Sequence, residues 1–104
     1  MTDDRAAAGG SLFVATQFVE PALAPGQRFE GAKETDLGSF VSETEAIAVA
    51  RAAWLEFQKR DTRDVAWWLV KADGEELARW IADSRSPVER VLDLTTNELV
   101  ELRP

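Results

Sequence analysis

Asp83, Glu89 and Asp93 fall close together around a predicted turn, and paired carboxylates are the most plausible catalytic set in this chain. Two carboxyl groups suffice to hydrolyse a glycosidic bond, one protonating the leaving oxygen while the other acts as base or nucleophile. Such a pair needs a substrate-sized cleft in which burial raises one of the two pKa values. A chain of 104 residues with one helix offers little room for that cleft. Polar positions on solvent-facing strands account for the three residues more simply, and a carboxylate enzyme stays as the lesser alternative.

Other reactive sets are thinner still. Ser11, Ser39, Ser42, Ser84 and Ser86 have no histidine to activate them, and a Ser-Lys pair would draw on only three lysines, each of which reads as surface. The sequence holds no Cys, His or Tyr, which removes the thiolate nucleophile, the zinc-cysteine site, the commonest general base and the phenol. Neither Asp61-Thr62-Arg63-Asp64 nor Asp73-Gly74-Glu75-Glu76 has the alternating oxygen-ligand spacing of a calcium loop. No phosphate-cradling glycine motif follows a predicted strand, since Gly9-Gly10 precedes one. We therefore expect no enzyme, and nominate no catalytic, cofactor-binding or metal-binding residue.

Recognition is the better prospect. Trp67, Trp68 and Trp80 crowd into one segment together with Arg79, and Trp and Arg are the residue types that dominate binding hot spots. These four are the protein-interaction candidates, for a protein partner or a homodimer formed through the 65–83 hairpin. Arg51, Lys59, Arg60 and Arg63 could form a small basic patch, but Glu45 and Glu56 share its helix face and blunt it. With 19 acidic residues against 12 basic ones, the net charge of −7 opposes nucleic acid and anionic lipid as partners. No stretch reaches the roughly 18 apolar residues of a membrane span, and no secretory h-region opens the chain, so a cytoplasmic location is expected. Nine Arg against three Lys suits a GC-rich bacterial genome.

The elements that must position these residues follow from patterning. Residues 1–10 are polar and rich in Ala and Gly, and read as a flexible leader; residues 11–104 read as one α+β domain. Ser11 to Val19 is β-prone and is stopped by the prolines between Pro21 and Gly26. Arg28 to Lys33 and Leu37 to Val41 suggest a hairpin around Glu34-Thr35-Asp36. Ser42-Glu43-Thr44-Glu45 is a capping box, so a helix of about 18 residues should begin at Glu43. Its apolar face carries Ala46, Val49, Ala50, Ala53, Trp54 and Phe57 with Ile47 at the margin; the alanines form a smooth strip that admits a sheet.

Val65 to Ala72 is a strand, Asp73-Gly74 a hairpin signal, and Leu77 to Asp83 its return. Whether the loop is Asp73-Gly74 alone or Asp73 to Glu76, side chains that face together have odd-summing numbers, so the face assignment is the same for both. One face then carries Val65, Trp67, Leu69, Ala78, Trp80 and Ala82, and the other Ala66, Trp68, Val70, Leu77, Arg79 and Ile81. A Ser84 to Pro87 turn leads to a last pair of strands, Glu89 to Leu94 and Glu98 to Leu102, joined through Thr95-Thr96-Asn97, with Val100 and Leu102 directed inward.

The expected fold is an antiparallel sheet of about five to seven strands, ending in a meander, packed against one long amphipathic helix. Both hairpin faces are apolar while one helix can cover only one of them. The second must be covered by the N-terminal strands, a second copy or a partner. The expected function is a small non-enzymatic interaction or regulatory accessory module using a Trp-rich sheet face. A small-ligand binder with an apolar pocket between helix and sheet is the alternative.

Overall fold

The computed structural model describes residues 12–85 and 88–102. The 1–10 leader, Ser11 and the Ser86-Pro87 half of the predicted turn lie outside the described residues. The elements run β1 (Phe13–Glu20), β2 (Lys33–Phe40), α1 (Glu43–Gln58), β3 (Val65–Ala72), β4 (Ala78–Asp83), β5 (Glu89–Asp93) and β6 (Glu98–Glu101). The six strands form one antiparallel sheet in the order β2-β1-β3-β4-β5-β6 with α1 packed on one side, an α+β fold.

β1 is an interior strand, next to the edge, because it pairs antiparallel with both β2 and β3. β2 and β3 are thus parallel to each other, and α1 is the crossover that joins them, as parallel strands require. Ser42 starts the helix: its extended backbone (φ −106°, ψ 131°) leads in, and its hydroxyl oxygen accepts from the Glu45 amide at 3.3 Å. Ala46, Ala50, Trp54 and Phe57 form the buried stripe, and Ala46 and Ala50 are wholly inaccessible. Against them lie Ala15, Ala66, Trp68, Val70, Trp80 and Ala82. Small side chains on both sides bring helix and sheet close, and four large rings fill the remaining volume. Phe57 meets Trp68 edge-on at 5.4 Å, and Trp54 meets Trp80 edge-on at 6.3 Å.

Two expectations need correction. The predicted hairpin at residues 28–41 is instead a loop followed by one strand: Glu34, Thr35 and Asp36 lie inside β2, paired with Phe18, Gln17 and Thr16. β2 is an edge strand held by its ladder with β1, so it needs little apolar sequence, and polar residues guard it against other chains. Leu37 is an extra residue in that ladder, and the bulge lets it pack on the core. Gly38, next to it, has φ +132°, and a Cβ there would sit 2.9 Å from the Phe40 ring.

The second correction concerns the faces of the β3–β4 hairpin. The odd-sum register holds only beside the turn, where Lys71 opposes Ala78. Arg79 is then an additional residue, and from Val70↔Trp80 onward the sums are even: Leu69↔Ile81, Trp68↔Ala82 and Trp67↔Asp83. One bulge therefore moves Trp80 and Ala82 to the side of Trp68, and Ile81 to the side of Leu69.

Candidate functional site

The bulge divides the predicted tryptophan platform between two environments. Trp68 and Trp80 are completely buried under α1. Their indole N–H groups are satisfied inside the protein, Trp68 donating to Gln17 Oε1 at 2.8 Å and Trp80 to Glu89 Oε2 at 3.0 Å. These two are core residues and form no surface for a partner. Arg79, expected to line one sheet face with Trp68, is the additional residue at the bulge. Its guanidinium donates to Glu75 (2.9 and 3.3 Å) and to Glu43 in the first turn of α1 (3.4 Å), and lies 5.9 Å from the Phe13 ring centre. The hydrogen bonds it donates to Glu75 raise its pKa above the ordinary arginine value. It ties the β3–β4 turn to the helix N-terminus, so its charge is already matched.

Trp67 alone of the three reaches the opposite side of the sheet. It stacks on Phe18, centroids 5.5 Å apart and planes 12° from parallel. Trp54 donates to the Asp83 carbonyl at 3.2 Å, whereas the Trp67 indole N–H has no protein acceptor among the described residues. Around this pair the register places Val14 and Thr16 of β1, Val65 and Leu69 of β3, Ile81 of β4, Leu92 of β5 and Leu99 of β6 on the same face. No helix or strand among the described residues covers that face, since α1 lies on the other. Phe18 was missed from sequence because nothing in β1 announces that it neighbours β3. The signal was present as a Val14, Thr16, Phe18 alternation, and only the strand order gives it meaning.

Carboxylates border the aromatic pair. Reading across β2, β1, β3 and β4, one row of directly opposed residues is Glu34, Phe18, Trp67, Asp83. Asp36 sits beside Thr16 in the next row, and Glu20 beside Val65 on the other side. One Asp36 oxygen accepts from the Gly38 amide, and one Asp83 oxygen from the Arg85 amide. None of these four carboxylates has an ion-pair partner among the described residues.

The predicted carboxylate trio does not converge. Asp83 is on the helix-free face, while Glu89, opposite Ala82, is on the helix side and bound to Arg51 and Trp80. Asp93 accepts from the Thr95 amide within the β5–β6 turn. Asp83 and Glu89 thus cannot flank one scissile bond. Among the described residues no group of three or more acidic side chains is arranged to hold a metal ion. The expected basic patch is also dispersed, for Arg51 is engaged by Glu89, Lys59 by Glu56, and Arg60 lies 5.3 Å from the Phe57 ring centre.

Among the described residues, concavities lie at the ends of the strands. One of about 450 Å³ is bounded by the β3–β4 and β5–β6 turns, including Leu77, Leu92 and Leu94. The other, about 330 Å³, lies past the end of α1 and includes Arg60, Arg63 and Arg85. Neither lies between helix and sheet, where alanines and rings occupy the space. Among the described residues no helix is long and apolar enough to cross a membrane. The fold defines the class, a six-stranded α+β protein with one helix-free sheet face. No protein-family model, curated protein or solved structure matches the chain.

Proposed function

We propose that this chain is a non-enzymatic protein-interaction module that binds through the helix-free face of its sheet, centred on Trp67 and Phe18. The observation that carries the reading is that face itself. It presents Val14, Phe18, Val65, Trp67, Leu69, Ile81, Leu92 and Leu99 without a covering helix or strand among the described residues. Contiguous apolar surface of this kind marks association sites on folded proteins, and a large aromatic with an unused N–H adds a directional anchor. β-Branched and aromatic side chains on a rigid sheet also lose little conformational freedom when bound.

Site-specific photo-crosslinking tests the reading. A benzophenone amino acid at Leu69, on the open face, should give an adduct of defined mass in the native host, and Trp67→Ala should abolish it. The same amino acid at Leu55, exposed on the outer side of α1, is the control. No adduct from position 69, or the same adducts from 69 and 55, would overturn the proposal.

A further inference from the structure

We infer that the occupant of the helix-free face is a cationic partner segment, one that sets an arginine guanidinium against an outer face of the stacked Phe18–Trp67 pair, within reach of the flanking carboxylate, Glu34 or Asp83. The inference rests on the interaction reading above and names the chemistry of the partner.

Geometry supplies the first argument. Glu34, Phe18, Trp67 and Asp83 are successive cross-strand neighbours, and at ~4.8 Å per strand the row spans ~14 Å from the first carboxylate-bearing residue to the last. Two rings, each turning one face to the other and its outer face away, are thereby held between two carboxylates on a rigid support. A flat cation is what such a row complements. An outer ring face attracts it through its quadrupole, and the carboxylate beside that face accepts its N–H groups. Arginine fits better than lysine, because a planar guanidinium stacks and donates in its own plane at once. Asp36 and Glu20, one row away on either side, extend the acidic margin to neighbouring cations, while Leu69, Ile81 and Val65 receive apolar side chains between them.

Charge then decides between such a partner and a second copy of the chain. A twofold dimer must satisfy each patch with its own duplicate. Among the described residues this face carries four carboxylates without ion-pair partners, whereas its cations are Lys71 and an Arg90 already paired with Glu101 at 3.5 Å. Lys71 is also four residues along β3 from Trp67, ~13 Å away. Two copies would bring acid against acid around the aromatic centre, which costs affinity and disfavours the pairing. A basic segment meets the same surface with opposite charge.

The test uses an end-blocked octapeptide of alternating leucine and arginine, titrated against the full chain and followed by tryptophan fluorescence. Glu34→Gln/Asp83→Asn should weaken binding about tenfold or more, and Trp67→Ala comparably. The charge-matched pair Glu76→Gln/Glu98→Gln, away from the row, should change it less than twofold, and a peptide with citrulline for arginine should fail to bind. Circular dichroism on each variant checks that the fold is retained. Equal weakening by the two acidic pairs would reduce the effect to the net charge of −7 and overturn the inference, as would undiminished binding to Glu34→Gln/Asp83→Asn. A dimer seen by light scattering and lost in Trp67→Ala would also overturn it, while leaving the sheet-face reading standing. If position 69 gives no crosslinked adduct at all, it is the sheet-face reading itself that falls.

Discussion

Arg51, on the flank of α1, grips Glu89 at the start of β5 with two parallel bonds of 2.8 Å, Nε to Oε2 and Nη2 to Oε1. Glu89 Oε2 also accepts from the buried Trp80 indole at 3.0 Å, so one carboxylate links the helix, the core and the outer strands. The bond from Arg51, opposed by burial and aided by Trp80, holds the Glu89 pKa below its ordinary value. In the unfolded chain Glu89 regains an ordinary pKa near ~4.3 and takes up its proton first. Its stabilisation is therefore complete above that value and is lost as the pH falls through the lower folded pKa. Glu89→Gln should cost ~1–3 kcal/mol at neutral pH and flatten the acid limb of the stability curve. The lower end is expected because the Arg51 side chain is 40% exposed. Urea midpoints between pH 2 and 7 measure it; matching acid limbs in the two proteins would mean that the bridge contributes nothing.

Ser42→Ala removes the oxygen that receives the Glu45 amide and should lower stability by ~1 kcal/mol with the fold intact. Glycine at the same position should cost only a few tenths of that. Thermal or urea unfolding resolves the two, and equal midpoints for serine and alanine would show that the cap carries no energy.

The parts of the fold that were legible were those dictated locally. Ser42 with Glu45 marked the helix start, the Ala46, Ala50, Trp54 and Phe57 stripe marked its buried face, and Val65–Ala72 read as a strand from its run of β-prone residues. Asn97 was anticipated in a left-handed conformation and has φ 59°. What stayed hidden depended on residues distant in sequence. The bulge at Arg79 reverses the face of everything after it, and no side-chain pattern around it distinguishes a one-residue slip from a plain hairpin when both faces are apolar. The interior place of β1 is likewise set by ladders to two strands, so the pairing of Phe18 with Trp67 could not be read from either segment. Of the four proposed interaction residues, the three that proved structural are those whose partners, Gln17, Glu89, Glu43 and Glu75, come from other elements or from the turn.

Ala50 sits wholly inaccessible beneath the sheet, so Ala50→Leu must displace the helix or force neighbouring rings from their rotamers. A loss of ~1–3 kcal/mol is expected. Ala52→Leu, on the exposed side of the same helix, should be close to neutral, within ~0.5 kcal/mol. Denaturant midpoints for the pair give the comparison, and equal effects would mean that the size of the side chain, and not its position under the sheet, sets the cost.

Adjacent tryptophans provide the sharpest contrast. Trp68 is fully buried, meets Phe57 edge-on and donates to Gln17, so Trp68→Ala opens a cavity and leaves an amide oxygen without its donor. The expected loss is ~3–5 kcal/mol. Trp67 faces outward and contributes mainly its stack on Phe18, a pair worth ~0.5–1.5 kcal/mol beyond area burial, so Trp67→Ala should cost no more than ~2 kcal/mol. Stability measured by urea unfolding should separate the two by a factor of about 1.5 or more. Acrylamide quenching reads the same difference directly: one accessible fluorophore should appear over three shielded ones, and Trp67→Phe should remove the accessible component. Uniform quenching, or an accessible component that survives Trp67→Phe, would put another tryptophan on the surface and remove the anchor from the proposed binding face.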